Sequence, residues 1–362
     1  MRALYLPFSS SSSDSTTTSK FEAGPFLSKL VEEMPTCEEE EVLIQVNACN
    51  LTMWDKAHLS YMKKLGCNEL ACGSRVLWSG APGGQGRQSS GRPGIPVMGI
   101  VPIDHNRPAC AEYVVVDQYD IVAKPASVSD AHAASCLEDA LKAYIALVYQ
   151  AHVRPADLVF VPRGATGFGS MAVQLAALFG ARVITSAHSE DELGYLESLQ
   201  QDIVVLDCTG GVEGNKLRQM VMDESLDMGV DIIIDQGNVK QPVCDSPEWE
   251  APTAFWTVGL SCSVLSVGGR LVTQQAGLQV EPAVSQRLLQ RCASLSFLFG
   301  QAWPLGTKTH GRYLHILRDV AEKLRDNAIR PNIHHTVAFS EVTNALEQLR
   351  PDLVGNIVVT MR

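Results

Sequence analysis

What this chain lacks narrows its function before any motif is read. It has no run of about 18 or more apolar residues, so no segment reads as a membrane span. Its ten cysteines are scattered from Cys37 to Cys292 without a Cys-x-x-Cys pair. No Cys/His cluster has the spacing of a structural zinc site. A Gly-x-Ser-x-Gly elbow is missing too, which leaves α/β-hydrolase chemistry without its nucleophile. Basic charge is scarce: 29 Lys and Arg face 40 Asp and Glu, for a net charge of −11. Such a surface repels phosphate backbones and speaks against direct nucleic-acid binding. No secretory signal is read at the start, where Met1 to Leu6 looks like a short strand, and scattered thiols suit a reducing compartment. The expectation is a cytosolic protein.

What is present begins unevenly. Ser9 to Ser19 is a polar, low-complexity stretch. Glu38 to Glu41 is a charge run that reads as a solvated approach to a strand over Val42 to Cys49. Residues 65 to 99 are rich in Gly, Ser, Pro and Arg and lack periodicity. A structureless loop of that length sits badly inside a compact domain. From Asp157 onward, apolar strands alternate with helical segments: Leu158–Val161, Ala181–Ala187, Ile203–Leu206, Val230–Asp235, a strand starting at Gly269, and Leu295–Phe299. That alternation predicts a parallel sheet covered on both faces.

The informative motif is DLVFVPRGATGFGSMAVQLAALFGARVITSA. It orders strand, glycine turn, helix, glycine stop and second strand. Gly164, Gly167 and Gly169 give the turn backbone angles that side chains forbid, and they keep Cβ atoms away from a phosphate approaching the helix N-terminus. Gly164, Ala165, Thr166, Gly167, Phe168 and Gly169 are therefore candidate dinucleotide contacts. A tight strand-to-helix turn without a ligand is the plainer alternative.

The second strand ends Ala187-His188-Ser189, with no Asp or Glu at its tip to take ribose hydroxyls. That favours NADP(H) over NAD, with His188 and Ser189 as candidate 2′-phosphate contacts. Glu190, Asp191 and Glu192 follow, and Arg163 is the cation within possible reach. Asn238 and Thr273, just after the fourth strand and within the fifth, complete the candidate cofactor residues. His334-His335 reads as surface, because neighbours on a strand point apart.

With these segments in view, the chain resembles the medium-chain reductases of the zeta-crystallin or quinone oxidoreductase group. VLIQVNACNLTMWD, AEYVVVDQYDIVAKP, DALKAYIAL, GATGFG, GVDIIID and GGRLVT carry the likeness. GQAWPLGTKTHGRYLHILRDVAEKLRDNAIRP resembles its quinone oxidoreductase-like branch. The resemblance implies an α/β fold: a Rossmann doubly wound parallel sheet over 126–305, and a GroES-like β-rich domain built from 1–125 and 306–362. It implies a nicotinamide cofactor, no catalytic zinc, and a quinone, enone or other activated carbonyl as substrate. It also implies possible homo-oligomers, and for this branch an alternative: a non-catalytic subunit of an early-endosomal assembly linked to a Rab-family GTPase and to mRNA transport.

Several positions depart from the group. Thr52 stands where zinc-dependent relatives carry a ligand cysteine and where the quinone branch carries Asn. Gly66-Cys67-Asn68-Glu69 replaces Gly-His-Glu, Ala57 replaces a tyrosine, and Lys142 replaces the threonine beside the nicotinamide. Asp55 is retained. No residue reads as a convincing general acid, so the catalytic residues stay unassigned.

Overall fold

The computed structural model describes residues 2–7, 27–30, 36–37, 40–52, 69–71, 77–80, 95–102, 110–237, 256–275, 278–350 and 352–361. The chain divides into two compact units, Met1–Glu138 with Gln301–Arg362, and Asp139–Gly300.

The first unit is built of short sheets. Strand β1 (Arg2–Pro7) pairs antiparallel with β2 (Leu27–Leu30). The expected strand over 42–49 is two strands, β3 (Glu41–Gln45) and β4 (Ala48–Leu51). The chain bends at Asn47 between them, where Asn47 O accepts the Met361 amide and the Val46 amide reaches Glu112 O. A strand-like run cannot announce this corner, because its two halves pair in different sheets. The described residues within 65–99 include strands. β5 (Glu69–Ala71) pairs with β1, and β6 (Leu77–Gly80) runs in register against β7 (Val97–Ile100). Next come β8 (Tyr113–Asp117), which pairs with β3, and β9 (Ile121–Ala123), which pairs with β7.

Helix α1 (Asp130–Tyr144) opens where the Ser129 hydroxyl accepts the His132 amide. It continues as a π-helical turn over Ile145–Gln150.

The second unit is a six-stranded parallel sheet with connecting helices. In chain order it contains β10 (Leu158–Val161), α2 (Gly167–Leu178), β11 (Arg182–Ala187), α3 (Glu190–Ser198), β12 (Ile203–Asp207), α4 (Gly214–Glu224) and β13 (Val230–Asp235). Then follow α5 (Val258–Val264), β14 (Leu265–Thr273), α6 (Pro282–Gln290) and β15 (Ser294–Phe297). The spatial order is β12-β11-β10-β13-β14-β15. Every residue of β10 is buried, as a central strand covered on both faces requires. Crossovers leave β10 in one direction toward β11 and β12, and the chain returns to β13 on its other side. In open α/β sheets, that reversal is where ligands sit, outside the carboxyl ends of the strands. The core beneath it packs Phe160, Ile184, Leu217, Ile233 and Leu271, with Trp256 edge-on to Phe160 at 5.0 Å between ring centroids.

The chain then returns to the first unit. Helix α7 (His310–Arg325) buries Tyr313, Ile316, Leu317, Val320 and Leu324, a spacing that keeps one face inward. β16 (Ile333–Ala338), α8 (Val342–Gln348) and β17 (Asn356–Thr360) complete it, in a sheet ordered β16-β17-β4. Ile44, Leu51 and Val114 share one core with Phe339, Leu346 and Val359. The β-rich unit thus draws on both ends of the sequence. His334 and His335 do not point apart: their rings meet at 5.0 Å between centroids. The register slips between Ile333 and His335, and such an irregularity re-aims side chains.

Among the described residues, no helix is long and apolar enough to cross a membrane.

Candidate functional site

The glycine turn after β10 is held by three neighbouring elements. The Gly164 amide donates to Thr185 Oγ1 at 2.9 Å, and that hydroxyl donates to Val161 O at 2.7 Å, tying the turn to β11. A Cβ on Gly164 would lie 2.2 Å from Thr185 Oγ1. Gly169 is as constrained, since its Cβ would come within 2.6 Å of Arg163 O and 2.7 Å of Gln236 Nε2. These glycines are therefore fixed by close approach. Thr166 caps α2, its Oγ1 accepting the Gly169 amide at 3.1 Å and donating to Gln236 Oε1 at 2.6 Å. Gln236 Nε2 in turn donates to Pro162 O at 2.8 Å and Arg163 O at 3.0 Å. A single residue at the end of β13 thus buttresses the turn on both sides of the topological reversal.

This bonding decides which amides can meet a ligand. The amides of Arg163, Gly164, Thr166, Gly169 and Ser170 all donate within the protein. Those of Gly167 and Phe168, the first two residues of α2, have no acceptor among the described residues. Two donors at the positive end of a helix form an anion-binding edge.

At the tip of β11, a compact polar cluster surrounds the residues the sequence singled out. Ser189 caps α3, its hydroxyl accepting the Glu192 amide at 3.2 Å. His188 Nε2 lies 2.9 Å from Ser186 Oγ, which also accepts the Arg163 amide at 3.0 Å. Burial, and then the Arg163 charge, hold the His188 imidazole down at about 4, so it is neutral at physiological pH. Glu192 was not singled out by the sequence. Its carboxylate is 1% exposed, takes the Arg163 guanidinium at 2.8 Å on Oε1 and accepts the His188 amide at 2.7 Å on Oε2. Ser189-x-x-Glu192 does have the spacing of a capping box, the one local signal that Glu192 turns inward.

Thr273 is fully buried and bridges two strands: its hydroxyl donates to Asp235 Oδ2 at 2.6 Å and accepts the Gln275 amide at 3.1 Å. Burial raises the Asp235 carboxyl, against its bonds from Thr273 and the Gly237 amide. Asn238 lies outside the described residues, as do Trp54 to Ala57 and Gly66 to Asn68. Thr52 is half-buried just after β4.

Lys142, in the last turn of α1, forms an ion pair with Asp139 at 2.9 Å, and its ammonium lies 5.7 Å from the centroid of the Phe168 ring. A Cβ on Gly300 would fall 2.6 Å from Lys142 Cγ, so the lysine stem passes directly over that glycine.

Among the described residues, no group of three or more His, Cys, Asp or Glu is placed to hold a metal. No family model matches the chain. Quinone oxidoreductase-like protein 1 of Mus musculus is 32% identical over 351 residues, covering 96% of each chain. The chain belongs to the quinone oxidoreductase-like branch of the medium-chain dehydrogenase/reductase family. Solved structures agree on the family's fold. A mycobacterial protein complexed with NADPH superimposes with a TM-score of 0.77 at 21% identity, covering 99% of this chain and all of that one. A mycobacterial quinone oxidoreductase gives a TM-score of 0.75 at 20% identity, covering 99% of each chain.

Proposed function

We propose that this protein binds NADPH and delivers its hydride to a quinone or another activated alkene or carbonyl. The observation that carries the reading is the division of labour at the carboxyl edge of the sheet. Gly167 and Phe168 present amides to a diphosphate. At the tip of β11, where this fold reads the adenosine ribose, the acid is withheld and the cation is offered. Glu192 is spent on Arg163 and on the His188 amide, while the Arg163 side chain keeps 20% of its surface exposed. There the Glu192 carboxylate is already taken, whereas a 2′-phosphate finds a guanidinium, which bonds phosphate well. Gly164 and Gly169 pack tightly against Thr185, Arg163 and Gln236 and so hold the turn that presents the Gly167 and Phe168 amides. These residues fit a dinucleotide.

Bound there, the cofactor supplies the hydride. The chain's own contribution is to seat the diphosphate, orient the ribose and hold the cofactor in a fixed pose. No proton donor is assigned, because the oxygens of a reduced quinone take protons from solvent.

The test is a titration with NADPH and with NADH followed by nicotinamide fluorescence, then a quinone-dependent oxidation assay. Tighter NADPH binding with turnover is expected. Absence of binding overturns the reading. Binding without turnover replaces it with the non-catalytic subunit of an early-endosomal assembly that the branch resemblance implies. The cation Lys142, where the group carries a threonine, favours that second reading.

A further inference from the structure

Thr273 lies among the candidate cofactor contacts of the sequence, yet it is fully buried and presents no surface to a ligand. Its hydroxyl instead closes a ring of contacts around the root of Gln236. It donates to Asp235 Oδ2 at 2.6 Å and accepts the Gln275 amide at 3.1 Å. Asp235 Oδ1 accepts the Gly237 amide at 3.1 Å, and the Asp235 carbonyl accepts the Gln274 amide at 3.1 Å. Gly237 completes the ring. Its φ of 75° suits glycine, and a Cβ there would fall 2.9 Å from the Gln275 nitrogen. The backbone on both sides of Gln236 is thus tied to the end of β14.

The side chain of Gln236 carries this fixity to the glycine turn, where it bonds Thr166 Oγ1, Pro162 O and Arg163 O. A glutamine has several rotatable bonds, and holding them in one arrangement costs entropy. A root that is already fixed lowers that cost; a loose root lets the brace leave the turn. The amides of Gly167 and Phe168 follow Thr166 directly, so their aim depends on the same brace.

We infer that Thr273 and Asp235 are positioning residues for the cofactor's diphosphate: through Gln236 they fix the turn whose amides receive it. This rests on the NADPH reading. NADPH and NADH share the diphosphate, so the contribution is equal for the two. It also vanishes once residue 236 can no longer reach the turn.

A double-mutant cycle on the full-length chain tests both properties. The proteins are the unaltered chain, Thr273→Val, Gln236→Ala, the double variant, and Thr273→Ser, which keeps the hydroxyl. Each is titrated with NADPH and NADH by nicotinamide fluorescence, with thermal unfolding recorded alongside. Thr273→Val should bind both cofactors about fivefold more weakly, as befits loss of one hydrogen bond in the ring. Thr273→Ser should bind like the unaltered chain. The double variant should bind no more weakly than Gln236→Ala alone. A hydroxyl that only stabilised the fold would lower Tm and leave the affinity of the folded Thr273→Val protein unchanged, which overturns the inference. Losses that multiply in the double variant also overturn it, because Thr273 would then act independently of Gln236. A loss confined to NADPH removes the diphosphate as the group positioned. If the unaltered chain binds neither cofactor, the cofactor reading falls and takes the inference with it. Should Thr273→Val not fold, Asp235→Asn takes its place in the cycle, with the same outcomes decisive.

Discussion

The guanidinium of Arg163 meets the carboxylate of Glu192 at 2.8 Å, joining the glycine turn to the first turn of α3 across the tips of two strands. Arg163 adopts a positive φ of 56°, a conformation that carries strain for an arginine. The ion pair and the bond from its amide to Ser186 hold it there. Replacing Arg163 with Ala should lower NADPH affinity about tenfold and leave NADH affinity nearly unchanged, because only the 2′-phosphate is lost as a partner. Parallel fluorescence titrations with the two cofactors check this; equal losses for both would remove the 2′-phosphate assignment.

Gly167 and Gly169 should respond differently to substitution. Gly169→Ala forces a Cβ against the carbonyl of Arg163 and should destabilise the fold by about 1–3 kcal/mol, read from denaturant unfolding. Gly167→Val places bulk on a residue whose amide faces the ligand and should abolish NADPH binding. Unchanged affinity in a folded Gly167→Val protein would remove the diphosphate from this edge.

Gln236→Ala deletes the bonds that brace the turn from β13. Loss of its contacts to Pro162, Arg163 and Thr166 should cost about 1–2 kcal/mol in chemical denaturation and weaken NADPH several-fold. If both measurements stay at their original values, the brace is dispensable.

Much of this arrangement was legible in the sequence, and the failures have a common cause. The glycine turn, its strand and its helix are written in contiguous residues, so period and turn chemistry reveal them. Gln236 and Glu192 are not. Gln236 with the turn and Glu192 with Arg163 act across many positions, through bonds that form only once β13 or α3 lies beside the turn. In the sequence Glu192 stands beside Glu190 and Asp191 as one of three acids, yet it is the buried one and pairs with an arginine. The corner at Asn47 is hidden for the same reason, because a strand-like run does not tell which of two sheets each half will join. The sequence announces neither α5 nor α6; α5 is only seven residues long, too short for a periodic pattern to stand out. The histidine pair shows a local rule failing at a register slip.

The His188 imidazole gives a pH signature. Its folded value of about 4 lies below the ordinary 6.5, so the unfolded chain binds the proton more readily between these two values. Stability from this group is complete above about pH 6.5 and is lost as pH falls toward 4. Asp235, raised by burial, works in the opposite direction, so variants must be compared rather than absolute curves. His188→Gln should show a shallower fall in Tm between pH 7 and 4.5 than the unaltered protein. Parallel curves would mean that His188 is not held neutral.

The shared core of the β-rich unit has a consequence for how the molecule is made. Ile44 and Leu51 leave the ribosome early, but the residues that cover them, Phe339, Leu346 and Val359, are among the last to emerge. The Asp139–Gly300 sheet is contiguous and completes itself in between. The β-rich unit is therefore completed last, and β4 waits for β17 while its earlier neighbours can already pair, a stage at which an exposed edge invites aggregation.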